Sequence, residues 1–133
     1  MPVHDTSHRV RFHELDPYDH VNHAMYVTYF EIGRVDALDA INLGLDTLKA
    51  DGFQFVITKL EVRFRSAATA GDDLTIVTGV SKFGRASTVW TQEIRRGDEL
   101  MVSGEVTVAV TDSAGKPVRP PEYIFERLQA LAA

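Results

Sequence analysis

The chain has no cysteine. Disulfides, thiolate metal sites and cysteine nucleophiles are excluded, and the chain is at home in a reducing cytosol, so cytoplasmic residence is expected. It also has no excess of positive charge: 14 Lys and Arg stand against 19 Asp and Glu, a net charge of −5. That argues against a generic nucleic-acid or anionic-membrane binder, since both need a basic footprint. An anionic ligand must then find a local basic patch. No window approaches the roughly 18 apolar residues of a membrane span, and Met1 to Arg9 hold no apolar signal core. Linkers, low-complexity tracts and internal repeats are missing as well. What remains is 133 residues of one composition, 44% hydrophobic and 25% charged. This reads as a single domain over 1–133 that can bury its own core.

The hydrophobic period changes twice along the chain. Val10, Phe12 and Leu15 alternate with Arg9, Arg11 and His13, which predicts a short first strand ending at Asp16-Pro17. From Asn22 to Asn42, Tyr26, Tyr29, Phe30, Gly33, Ala37 and Ile41 fall on one helical face. Asn22 is a natural N-cap and Gly44 a natural stop. A helix of about 20 residues would be roughly 30 Å long. After Asp51-Gly52 the period becomes two, with predicted strands around Leu60–Phe64, Leu74–Val80, Thr88–Ile94 and Val102–Val110. Short Gly-containing connections between them read as antiparallel hairpins. Pro117, Pro120 and Pro121 end the sheet, and Glu122 to Ala130 reads as a terminal helix. The fold class is therefore α+β, one long helix on a five-stranded antiparallel sheet. A single helix covers such a sheet incompletely, so a homodimer or homotetramer is expected.

The polar residues are not spread evenly. Glu14, Asp16, Asp19, His20 and His23 crowd the turn that runs into the helix, where backbone N–H groups lie free. Asp16-Pro17 can serve as ordinary turn chemistry, or as a carboxylate aimed at a helix N-terminus. His20 and His23 have His-x-x-His spacing, but three residues across a turn do not define a metal site, and no metal is expected. Glu31 is a structural charge, a partner for Arg34 at i+3 or for a basic strand residue. The Tyr26, Tyr29, Phe30 stripe is core at helical spacing, with part of it available to an apolar ligand. Arg63 and Arg65 share a strand face, while Lys82 and Arg85 flank a turn at Phe83-Gly84. Either is a possible phosphate contact or plain surface charge, and Ser87 could add a hydroxyl.

The run from Arg11 to Arg34, RFHELDPYDHVNHAMYVTYFEIGR, resembles the signature of the hotdog-fold acyl-CoA thioesterases of the 4-hydroxybenzoyl-CoA type. The shared elements are an acidic residue ending a strand, a His-Val-Asn turn, Ala-x-Tyr, and an aromatic-Glu-x-x-Arg helix. Leu60 to Leu74, with its Gly71-Asp72 turn, and Lys82 to Ser87 continue the resemblance. It implies a hotdog fold, with the sheet wrapped around the helix and active sites at a dimer interface. The implied activity is hydrolysis of an acyl-CoA or acyl-carrier-protein thioester, with no cofactor. Asp16 takes the position of the catalytic carboxylate, as nucleophile or general base, and the backbone N–H of His23 polarises the carbonyl. Asn22 and Tyr26, with Lys82, Arg85 and Ser87, are the implied substrate contacts. Two other activities fit such a fold: a hydratase or dehydratase, whose Asp-x-Asn-Pro-x-His arrangement this chain lacks, and a non-catalytic acyl-thioester binding module.

Overall fold

The computed structural model describes residues 3–133. The first strand, β1 (His4–Arg9), lies earlier than the predicted run through Phe12 and Leu15. Half-buried His4, Thr6 and His8 alternate there with exposed Asp5, Ser7 and Arg9, a pattern that carries no hydropathy signal. Phe12–Glu14 instead forms one 3-10 turn, because the Glu14 carboxylate takes the Arg11 backbone N–H at 2.9 Å and folds the chain back. Phe12, read as a strand residue, stands 83% exposed.

The long helix, α1 (Met25–Ala40), is shorter than expected at both ends. Asn22 fastens its entry: the side-chain oxygen accepts the Ala24 N–H and the carbonyl accepts the Met25 N–H, both at 2.9 Å. The stop is Asn42, not Gly44. Asn42 adopts φ 60°, a left-handed conformation that Asn tolerates, and the Leu43 N–H reaches back to the Leu38 carbonyl at 2.9 Å. Gly44 precedes a second helix, α2 (Leu45–Ala50).

Four strands follow: β2 (Phe53–Phe64), β3 (Asp73–Phe83), β4 (Ser87–Arg96) and β5 (Glu99–Asp112), then α3 (Glu122–Leu128). The sheet order is β1-β3-β4-β5-β2, antiparallel throughout. β3–β4 and β4–β5 are the expected hairpins. The Ala70–Asp73 connection is not one. β2 pairs with β5, Phe55 opposite Val110 and Leu60 opposite Val106, so the chain must cross the end of the sheet to reach β3. The crossing is tied to the end of β1 by Val10 N–H to Asp72 O (2.9 Å) and Gly71 N–H to Val10 O (3.1 Å).

The buried face of α1 presents Tyr26, Tyr29, Phe30, Gly33, Ala37 and Leu38. Toward its N-terminal end these pack with Val10, Val21, Ile76, Ile94 and Val102, and toward its C-terminal end with Leu48, Trp90, Val108, Ile124 and Leu128. Gly33 allows the close approach between them, since a Cβ there would fall 2.6 Å from Ile76 Cγ2. Gln92, fully buried beneath the helix, donates to the Phe30 carbonyl (2.9 Å) and to Thr78 Oγ1 (3.0 Å), while it accepts from Arg34 Nη1 (2.9 Å). Every buried side-chain polar atom among the described residues finds a partner.

Candidate active site

The turn between β1 and α1 is held at several points. Leu15 and Val21 form an antiparallel bridge, as do His20 and Thr69. Asn22 N–H donates to the Glu14 carbonyl at 2.9 Å and Val21 N–H to the Ala68 carbonyl at 2.8 Å. Val21 plugs the core at 3% exposure. Within the turn, Asp16 Oδ1 accepts the N–H groups of Tyr18 (2.8 Å) and His20 (3.2 Å). The turn-building role of Asp16 is therefore real. It occupies one carboxylate oxygen and leaves Oδ2 without a protein donor among the described residues.

Asp16, His20, Val21, His23 and Tyr26 line an open cleft of about 310 Å³, closed on its far side by Phe64, Arg65, Ser66 and Ala67. Asp16 and His23 thus share one cavity. The hydrogen bonds at the helix entry use the Ala24 and Met25 N–H groups; among the described residues the His23 N–H meets no protein acceptor. A carboxylate and an unused N–H beside a helix N-terminus supply, in one place, an oxygen base and a donor for developing negative charge.

Tyr26 lines this cleft, but its hydroxyl is committed, accepting the Ala68 N–H at 3.0 Å. Burial raises the Tyr26 pKa, and the negative charge of Asp16 adds to this, outweighing the Ala68 N–H. The phenol stays protonated. Of the aromatic stripe only Tyr26 reaches the cleft, since Tyr29 and Phe30 are fully buried. Asn22 fastens the turn. Phe64, Ser66 and Ala67 were not singled out in the sequence, because only the pairing of β2 with β5 brings their segment to the turn. Arg65, just past the end of β2 and one of the possible phosphate contacts, does line the cleft.

Lys82, Arg85 and Ser87 do not. They sit at the β3–β4 hairpin, where Gly84 N–H donates to Ser87 O at 2.7 Å. Asp72, beside the cleft segment, lies at the opposite end of β3, and a strand of that length spans about 30 Å. A second, more enclosed cavity of about 210 Å³ lies further along α1, where Glu31, Arg34 and Leu38 face Phe55, Ile57 and Trp90. Asp16 is not part of it. No three His, Asp or Glu side chains among the described residues gather as a metal group.

This fold and cleft place the chain in a known class. It matches the Thioesterase-like superfamily over residues 10–128 and belongs to that family, and its architecture is the hotdog fold. An acyl-CoA thioesterase of Haemophilus influenzae, YbgC, is 30% identical over 118 residues, 87% of both chains. The acyl-acyl carrier protein thioesterase ATL3 of Arabidopsis thaliana is 27% identical over 91% of this chain, which spans 65% of the length of that relative. Among solved structures, a thioesterase of Thermus thermophilus complexed with coenzyme A and Zn superimposes with a TM-score of 0.85 at 29% identity, covering 98% of this chain and 93% of that one.

Proposed function

We propose that the protein hydrolyses acyl thioesters of coenzyme A or of acyl-carrier protein, releasing a carboxylic acid and a free thiol. The observation that carries this reading is the shared cleft of Asp16 and the unused His23 N–H. In the reaction the thioester carbonyl lies toward the His23 N–H, which stabilises the oxyanion as it forms. Asp16 Oδ2 either attacks the carbonyl carbon, giving a mixed anhydride that water then opens, or takes a proton from the attacking water. Collapse of the tetrahedral intermediate expels the thiolate, which takes up a proton. A single turnover in isotope-labelled water reads where the water attacks: label in Asp16 shows an anhydride opened at the Asp16 carbonyl, whereas label in the released acid alone means attack at the acyl carbon, in the thioester or in the anhydride.

A second copy of the chain belongs to this reading. β2 is a 12-residue edge strand with one free side, and Val56, Ile57, Leu60 and Phe64 on it are 38–55% exposed. A long apolar edge of this kind invites pairing. Lys82, Arg85 and Ser87 keep a role in binding coenzyme A only where the cleft belongs to another protomer. Arg65 is the phosphate contact available within the same chain. A cytoplasmic site of action completes the proposal and is tested by fractionation.

The experiment is thiol release from a panel of acyl-CoA and acyl-carrier-protein esters, aromatic and aliphatic, by wild type and Asp16→Asn. Release by wild type and its loss in the variant support the assignment. Saturable ester binding with no thiol released by wild type would instead make the protein a binding module.

A further inference from the structure

Two residues before Asp16 stands a carboxylate that the proposed chemistry does not use. Glu14 is 5% exposed. Its Oε1 accepts the Arg11 backbone N–H and the Tyr29 hydroxyl, each at 2.9 Å, and His8 Nε2 lies 3.1 and 3.2 Å from its two oxygens. These partners come from three segments: the end of β1, the start of the 3-10 turn, and α1. The Glu14 carbonyl accepts the Asn22 N–H, which joins the two arms of the Asp16 turn. The His8 and Tyr29 rings lie against each other with centroids 4.6 Å apart.

A buried charge is a costly way to fasten a core. Apolar side chains of similar volume often serve stability as well or better, and what a satisfied polar cluster adds is a fixed geometry. Here the geometry in question is that of the catalytic turn. The Asx bonds of Asp16 are internal to the turn and would survive if it swung as a body. The Glu14 side chain ties that turn directly to Tyr29 in the body of the helix whose N-terminus it must face, while His20 and Val21 tie it to Thr69 and Ala68.

We propose that Glu14 is a positioning residue for Asp16: through Tyr29, His8 and the Arg11 N–H it locks the turn against α1 and β1, without touching substrate. The inference rests on Asp16 being the catalytic carboxylate. Positioning of this kind matters because a displacement near 1 Å at a reacting group can cost roughly a hundredfold in rate.

The test compares Glu14→Ala, Glu14→Gln and Tyr29→Phe by steady-state thiol release, each at a temperature where circular dichroism shows native structure. Glu14→Ala is expected to lower kcat roughly ten- to hundredfold while KM stays near the wild-type value. Glu14→Gln keeps an oxygen for the Arg11 N–H and the Tyr29 hydroxyl and should recover most of the loss. Tyr29→Phe cuts only the link to α1 and should fall between them. If Glu14→Ala does not fold, Tyr29→Phe decides alone. Wild-type kcat in a folded Tyr29→Phe or Glu14→Ala protein overturns the proposal and leaves the cluster a matter of core stability. Asp16→Asn is run alongside. Full activity there removes the catalytic reading of Asp16, whereas an inactive Asp16→Asn beside wild-type kcat in Tyr29→Phe removes only the positioning role.

Discussion

Asp16 and His20 hold each other across the turn: the Asp16 N–H donates to the His20 carbonyl at 2.6 Å, and the His20 N–H returns to Asp16 Oδ1 at 3.2 Å. The same carboxyl group therefore builds the turn with one oxygen and offers the other to the cleft. The two duties can be separated by substitution. Asp16→Asn retains an oxygen acceptor for the turn and loses only the charge, so its fold should be intact while kcat drops about 100- to 10,000-fold. Asp16→Ala loses both, and should add a stability cost of about 1 kcal/mol for the lost turn hydrogen bonds. Thiol release and thermal unfolding measured on the pair check this. An active Asp16→Asn would send the search for the base elsewhere in the cleft.

Gly33 is a test of packing with no chemistry attached. A Cβ at this position would meet Ile76 Cγ2 at 2.6 Å, Thr78 Oγ1 at 2.8 Å and Gln92 Nε2 at 3.1 Å. Gly33→Ala gains about 1 kcal/mol of helix propensity but must push α1 off the sheet, at a cost of about 1–3 kcal/mol. The clash includes the buried Thr78–Gln92 pair, which has little freedom to move, so net destabilisation is expected. Thermal unfolding should show a Tm lower by about 4 °C for each kcal/mol lost. A Tm equal to or above wild type would show that the helix can shift without penalty.

Much of the fold could be read in the sequence because the period-two pattern of β3, β4 and β5 and the helical face of Tyr26, Tyr29, Phe30, Gly33 and Ala37 are direct imprints of burial. β1 could not, since His4, Thr6 and His8 face inward as polar groups: His4 and Thr6 bond Asp36 on α1 at 2.7 Å, and His8 bonds Glu14. Hydropathy does not register an inward side that is hydrogen-bonded rather than apolar. The place of β2 at the sheet edge was equally hidden, because local turn signals at Gly71-Asp72 look the same in a hairpin and in a crossing. That single topological fact decides which residues face Asp16. It brings Phe64 to Ala67 to the cleft and leaves Lys82, Arg85 and Ser87 at the far end of the sheet.

The Glu14 cluster also predicts how stability varies with acid. Burial pulls the Glu14 pKa upward, but the Arg11 N–H, His8 and the Tyr29 hydroxyl outweigh it and hold the carboxyl below its ordinary value. For Tyr29, burial and then the bond to this carboxylate push the phenol far upward, so it stays a donor. A carboxyl with a depressed folded pKa contributes stability that is fully present above its unfolded pKa, about 4.3, and lost as pH falls through the folded value. Asp36, held low by His4 and Thr6, has the same sign. So does Asp72: its burial opposes the shift, but the Thr69 N–H and Arg96 prevail. Wild type should therefore lose stability below about pH 4.3. Glu14→Gln should be less stable than wild type at pH 7, with the gap narrowing as pH falls. Denaturant midpoints measured across this range decide it; a gap that is constant with pH would mean that the Glu14 charge is not what the cluster holds.

β2 leaves one edge of the sheet free. Its outer N–H and C=O groups have no partner strand among the described residues, Ile57 is 44% exposed on it, and the register shifts between Ile57 and Lys59. If two copies pair along this strand, apolar side chains from both meet, and a charge placed there must be buried or expelled. Ile57→Lys uses the same device by which natural sheets protect their edges, a lysine on the exposed strand. Ile57 lies outside the main core, so the variant should keep its fold by circular dichroism. Light scattering on wild type should then give a multiple of the 14.8 kDa chain mass, and on Ile57→Lys the single-chain value. A monomeric wild type would remove the pairing outright and confine the cleft to the residues of one chain. A variant that stays oligomeric would place the contact on another face, with the α1 surface around Val27 and Ile32, each 37% exposed, the next to be charged.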